Sequence, residues 1–269
     1  MYLHSLATAV PDATFTQAEC WELAQRSSVR ERLKKRSMLI LQTILKGDHG
    51  IATRHFAMPD VERVFDLSPD QLNAAFRHEA PKLAGRALTT ALERAGIKPA
   101  EVDALLVCTC TGYLCPGITS YVAEQLGMRT DTFLQDLVGL GCGAAIPALR
   151  ATSHVIGANP KAIVACVAVE VCSAAFYLDD DPGVLISACL FSDGAAATIW
   201  RGQPGGLGVR AFGFDTTHIP AQRDKLRFEQ RLILQGVNKD PALGGDANGD
   251  GIGDLIVTLP PIGLLRSRP

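Results

Sequence analysis

From residue 103 onward the chain alternates short, almost wholly apolar runs with stretches of helical composition. That alternation confines it to an α/β fold whose sheet is covered on both faces. The run Asp-Ala-Leu-Leu-Val-Cys at 103–108 has strand length and no solvated face, so it predicts a buried strand. Residues 132–137, 161–171, 195–200 and 208–214 predict four more, and 1–10 predicts a first. Helices are predicted over 16–26 and 30–45, split by Ser27-Ser28, and over 119–126, closed by Gly127. The Ala-rich stretch 142–156, closed by Gly157, predicts another. Ser68-Pro69-Asp70-Gln71 supplies a cap, a first-turn proline and a reciprocal amide, so a helix starts there and runs to about Ala95, where Gly96 ends it.

Charge and cysteine usage narrow the function. The net charge of −2 provides no field to attract nucleic acid or a membrane surface. The longest apolar runs, such as 163–169, fall far short of a membrane span, and 1–10 lacks the basic start and long apolar stretch of an export signal. A cytoplasmic location is the expectation. Most of the eight cysteines, including Cys108, Cys166, Cys172 and Cys189, lie in apolar segments, where free thiols behave as small hydrophobes. Cys108 and Cys110 are not followed by a second Cys/His pair at zinc spacing, so no metal site is expected.

One segment carries chemistry. In residues 135–145 a strand runs into Gly141-Cys142-Gly143, and an Ala-rich helix begins there. Small neighbours let the chain turn sharply and let a substrate reach the sulfur. A helix N-terminus favours the thiolate, and amides at such a turn can hold a developing oxyanion. Thioester exchange needs a nucleophile placed this way. Taken by itself, the segment also fits a small buried residue at a tight turn.

Other segments accompany it: Ala9-Val10-Pro11, Thr53-Arg54-His55-Phe56, the loop Cys110-Thr111-Gly112-Tyr113-Leu114-Cys115, Val169-Glu170-Val171, and Phe191-Ser192-Asp193-Gly194-Ala195-Ala196. In this order and at about this spacing, over residues 1–231, the chain resembles the type III polyketide synthases, the chalcone-synthase-like branch of the thiolase superfamily. The resemblance implies a thiolase-like layered α/β fold: residues 1–205 as its N-terminal half, 206–231 as the opening of the second half, and 232–269 as an unmatched Gly/Asp/Pro-rich tail. It implies an acyltransferase that joins an acyl-CoA starter to malonyl-CoA extenders through a Cys thioester, with no metal or redox cofactor, in a homodimer. It assigns Cys142 as the acyl-accepting nucleophile and Phe191 as the gate between substrate tunnel and cavity. Cys115 takes the loop position that reaches the partner subunit's cavity. Cys110, Cys172 and Ala175 take cavity-lining positions, and Glu170 a buried acidic position nearby. Plain core packing accounts equally well for Cys110 and Cys172. A ketoacyl synthase III-like condensing enzyme shares the same nucleophile logic.

The family's catalytic His and Asn have no counterpart here. After Cys142 the only histidines are His154 and His218, and Asn238 and Asn248 lie in the tail without the family's Gly-Asn context. The expectation is slow acylation without full condensation, and an apolar face left uncovered where a second half would pack. Asp246-Ala247-Asn248-Gly249-Asp250-Gly251 matches the start of a calcium loop, but Val257 stands where an EF-hand has its bidentate Glu. A non-catalytic remnant fused to a calcium-loop-like tail is therefore the alternative from a different class.

Overall fold

The computed structural model describes residues 1–58, 61–176, 178–217, 219 and 221, together with the backbone of 227–229 and 263–266. In chain order the elements are β1 (Tyr2–Ala9), β2 (Thr14–Thr16), α1 (Gln17–Arg26), α2 (Val29–Arg32), α3 (Lys35–Lys46), β3 (Thr53–His55) and α4 (Pro69–Ala95). Then follow β4 (Ala104–Cys108), α5 (Ile118–Leu126), β5 (Phe133–Leu137), α6 (Ala145–Ala158), β6 (Val164–Glu170), α7 (Pro182–Leu190), β7 (Gly194–Arg201), β8 (Val209–Arg210), β9 (Arg227–Glu229) and β10 (Gly263–Arg266).

The main sheet has six strands in the order β5-β4-β6-β7-β1-β8. β4 is parallel to both β5 and β6, while the pairs β6–β7, β7–β1 and β1–β8 are antiparallel. Central strands buried on both faces must be apolar throughout, as β4 is. Its period of two sends Leu105 and Val107 to one face and Leu106 and Cys108 to the other.

The first face is covered by α4. Ala80, Ala84, Ala87 and Ala91 let the helix approach closely, and Leu83, Leu88 and Leu92 fill the space against Val167, Ala197 and Ile199. Each fully buried Leu side chain contributes roughly 1.5–3 kcal/mol. The reciprocal cap at Ser68 forms as the sequence predicts, with Ser68 Oγ accepting from the Gln71 amide at 3.3 Å and Gln71 Oε1 accepting from the Ser68 amide at 2.9 Å. Gly96 ends the helix in the left-handed region at φ 64°. On the second face, Ala148 and Ile156 of α6 pack against Leu106, Val164, Cys166 and Trp200.

The sequence reading differs from the structure in several places. The helix expected over 30–45 is broken, because Leu33 and Lys34 are extended between α2 and α3. Leu33 is buried, and Lys34 has no side-chain oxygen with which to cap. Asp180 supplies it from far along the chain, accepting from the Lys34 amide at 2.9 Å and from Ser37 Oγ at 2.7 Å. The helix expected from Cys142 begins instead at Ala145, after a 3-10 turn at Gly141–Gly143, and it runs through Gly157 to Ala158. The strand expected over 208–214 shrinks to the two residues of β8. Sequence periodicity gives no strand after residue 259, yet the backbone of β10 pairs antiparallel with β9. His218, Asn238, Asn248 and the calcium-loop-like segment 246–254 lie outside the described residues. All eight cysteines are free.

Candidate active site

Between β5 and α6 the chain turns through Gly139 at φ 77° and Gly141 at φ 65°. Those angles would cost an ordinary residue roughly 1–2 kcal/mol, which is why glycines precede the cysteine. Cys142 sits in the following 3-10 turn and is exposed. Ala144, the N-cap of α6, offers its first turn no side-chain acceptor, so the positive end of a 14-residue helix opens beside the turn that carries the thiol. Around this turn Val138, Leu140 and Ile146 are exposed apolar residues, with Ile146 57% accessible on the outer side of α6. His154 is exposed on the same helix.

A half-buried carboxylate organises the start of the loop after β4. Glu170, at the end of β6, accepts from the Cys110 amide (2.9 Å to Oε1), Thr111 Oγ1 (2.8 Å) and Thr109 Oγ1 (3.2 Å). Thr111 Oγ1 in turn accepts from the Val171 amide at 2.9 Å. Burial raises the Glu170 pKa, and these donors only partly offset it. The Cys110 thiol is pushed well up, by burial first, then by the charges of Glu170 and of Cys142. Cys172 is pushed up by burial, then by Asp193, Glu170 and Cys142. These couplings place Cys110, Cys142, Cys172 and Glu170 in one electrostatic group. Two of its three thiols are held protonated by their surroundings, and the third is open to solvent.

The remaining sequence-derived positions are arranged less tightly. Cys115 is exposed in the loop between β4 and α5. That loop is seated at Gly112, where a side chain would strike the Phe76 ring, and at Gly117, where one would strike the Asp136 carboxylate. Ala175 is buried at the end of the 3-10 turn Cys172–Ala175. Among the described residues no side-chain hydrogen bond ties Cys115 to Cys142. Phe191 is half-buried at the C-cap of α7. The sequence reading missed Thr109, Thr111 and Ser173, whose hydroxyls serve Glu170 and Asp193. Their signal was a polar residue in an otherwise apolar strand end, a pattern too common to single out.

Comparison with known proteins follows the same outline. The chain is 34% identical to the 1,3,6,8-tetrahydroxynaphthalene synthase of Streptomyces peucetius subsp. caesius, over 77% of this chain and 53% of that protein. It is 27% identical to the 3,5-dihydroxyphenylacetyl-CoA synthase of Streptomyces toyocaensis, over 83% of this chain and 57% of that protein. The chain thus spans little more than half the length of these relatives. The crystal structure of 1,3,6,8-tetrahydroxynaphthalene synthase from Streptomyces coelicolor A3(2), a bacterial type III polyketide synthase, superposes with a TM-score of 0.75 at 26% identity, covering 86% of this chain and 65% of that one. Germicidin synthase from Streptomyces coelicolor shares the fold with a TM-score of 0.73 at 22% identity. The fold is therefore the thiolase-like α/β fold of these enzymes, and the ketoacyl synthase III alternative is not favoured. The profile of the family described as FAE1/type III polyketide synthase-like protein matches residues 8–205, and the chain belongs to that family.

Proposed function

We propose that this chain is the nucleophile-bearing part of a type III polyketide synthase-like acyltransferase, with Cys142 as the acyl carrier. The Cys142 thiolate attacks the carbonyl of an acyl-CoA, the tetrahedral oxyanion collapses, and the CoA thiolate leaves, so that the acyl group becomes a thioester on Cys142. In the intact reaction malonyl-CoA loses carbon dioxide, and the resulting carbanion takes the acyl group and frees the sulfur. The single observation that carries the reading is the exposed Cys142 thiol on the turn between β5 and α6, beside the N-terminus of α6. Phe191 acts as the gate; Cys110, Cys172 and Ala175 act as cavity wall. Residues 1–205 form the N-terminal half of the fold and 206–231 open the second half. No cofactor enters the chemistry.

A homodimer and a cytoplasmic setting belong to the same proposal. β5 is an edge of the main sheet, bonded there to β4 alone, and Phe133 at its start is 51% accessible. An open edge strand is a template for pairing with a second copy. No helix among the described residues is long and apolar enough to cross a membrane.

The test is intact-mass analysis after incubation with hexanoyl-CoA, with and without malonyl-CoA. The expected result is one acyl adduct on Cys142, absent in Cys142→Ala, and little or no condensed product. Failure to detect any adduct on Cys142 overturns the proposal.

A further inference from the structure

The turn that carries Phe191 is bonded, residue by residue, to the chain leaving β2's partner strand β3. Arg54 Nη1 donates to the Ala188 carbonyl at 2.5 Å and to the Phe191 carbonyl at 3.0 Å. Ser192 Oγ accepts from the His55 amide at 2.7 Å and donates to the His55 carbonyl at 3.1 Å. The Asp193 amide donates to the same carbonyl at 2.9 Å. Asp193 Oδ2 accepts from the Ala57 amide at 2.7 Å. Its other oxygen, Oδ1, accepts from the Ser173 amide at 2.8 Å, and Ser173 Oγ donates to Oδ2. Ser173 adjoins Cys172, one of the thiols coupled to Cys142.

Both ends of this clamp are costly to bury, so neither is incidental. Arg54 is 3% accessible, and no ion pair forms on it among the described residues. A buried guanidinium needs compensation, and here it comes from carbonyls at the negative end of α7, both bonded to Nη1, and from the Phe56 ring, 4.9 Å from Arg54 Cζ, while Nε is buried without a partner. Asp193 is 2% accessible, and its two oxygens accept three hydrogen bonds. Charge-assisted bonds of this kind are about twice as strong as neutral ones. If the turn shifted, Arg54 would lose the Phe191 carbonyl and Asp193 its three donors at once.

We infer that Arg54 and Asp193 are positioning residues that fix the backbone turn carrying Phe191 and thereby set which acyl chains reach Cys142. The inference rests on the proposed function and deepens it. Neither side chain touches the reacting atoms; each acts through the backbone of the turn between α7 and β7 and, for Asp193, through Ser173.

Two measurements on the full chain test it, using Arg54→Lys and Asp193→Asn, with Ser173→Ala as the milder variant should either fail to fold. The first is amide exchange in peptides spanning 191–193. It is expected to quicken about tenfold in the variants, with exchange in α4 unchanged. Unchanged exchange at 191–193 overturns the inference. The second is the ratio of Cys142 acylation rates with hexanoyl-CoA and dodecanoyl-CoA, read by intact mass beside the rate of Cys142 alkylation by iodoacetamide. A merely structural role would lower acylation and alkylation alike. The inference requires the acylation ratio to shift about fivefold or more while alkylation keeps its rate. Faster exchange with an unchanged ratio overturns it. Acylation absent even from the wild-type protein overturns the proposed function instead, and the clamp is then decided by the exchange measurement alone.

Discussion

The Asp136 carboxylate occupies the space into which a side chain on Gly117 would project, and from there it accepts from the Thr119 amide at 3.3 Å and from Thr119 Oγ1. Asp136 lies in β5, which leads into the Cys142 turn, and Thr119 lies in the first turn of α5. One carboxylate therefore caps α5 and fixes the loop bearing Cys115 against the strand bearing the nucleophile turn.

Gly117→Ala forces this carboxylate aside. Gly117 has φ −70°, which any residue adopts, so the cost is steric alone. We expect a loss of about 1–3 kcal/mol, read as a lower urea midpoint. Asp136→Ala made alone loses the cap as well. The double variant is expected to be less destabilised than the sum of the two, because removing the carboxylate vacates the space the new methyl needs.

The thiols are expected to react in a set order. Cys142 and Cys115 are exposed. Cys110 and Cys172 are half-buried and held protonated, first by burial and then by neighbouring acids. Burial pushes Cys166 to about 11 and Cys108 and Cys189 to about 12. Since the thiolate is the nucleophile, timed iodoacetamide labelling at pH 8 followed by peptide mapping should modify Cys142 and Cys115 at least about tenfold faster than the others. Labelling of Cys110 ahead of Cys142 would contradict the electrostatic grouping described above.

Acid should first stabilise the protein. Burial raises Asp193 to about 6, against an ordinary value of 3.8, even though Ala57 and Ser173 donate to it. The folded state therefore takes up this proton at a higher pH than the unfolded chain does. As pH falls from 7 through about 6, the cost of the buried charge is relieved and stability rises, by about 1.4 kcal/mol for each unit of difference reached. Glu170 is shifted in the same direction. The exposed carboxyls of Glu19 and Asp131 and the half-buried one of Asp180 are lowered by their donors, so what they contribute is lost only at still lower pH. The urea midpoint should rise between pH 7 and pH 5, and Asp193→Asn should remove much of that rise.

The layer between α4 and the sheet should respond strongly to truncation. Leu88 is fully buried between α4 and the central strands. Leu88→Ala is expected to cost about 2–5 kcal/mol, with no change in the labelling rate of Cys142, which lies toward the sheet's other face. Differential scanning calorimetry with timed labelling checks both parts.

Local signals were legible where the residues that decide a feature are neighbours in sequence. Ser68 and Gln71 stand three apart and cap α4 as read, and the all-apolar run ending at Cys108 could only be a doubly covered strand. The Cys142 turn announced itself through its glycines. The reading failed where the deciding partner is remote. The break at Leu33-Lys34 depends on Asp180, 146 residues away from Lys34, and periodicity across 30–45 carries no trace of it. The Glu170 network joins residues about 60 apart, so Thr109 and Thr111 looked like ordinary loop polarity. The helix start moved from Cys142 to Ala145 because Gly141 and Gly143 flank the cysteine, and alanine content alone does not mark the 3-10 turn they form.

Helix α4 spans 27 residues and packs against β1, β6, β7 and α5. A strand that peels from the sheet must therefore also lift away from a helix still held by its neighbours. Partial unravelling from the centre is suppressed, and the slowest-exchanging backbone amides of α4, β6 and β7 should share one opening free energy, that of the whole unit. A lesion anywhere along this helix is then felt as a loss of cooperative folding and not as a local soft spot.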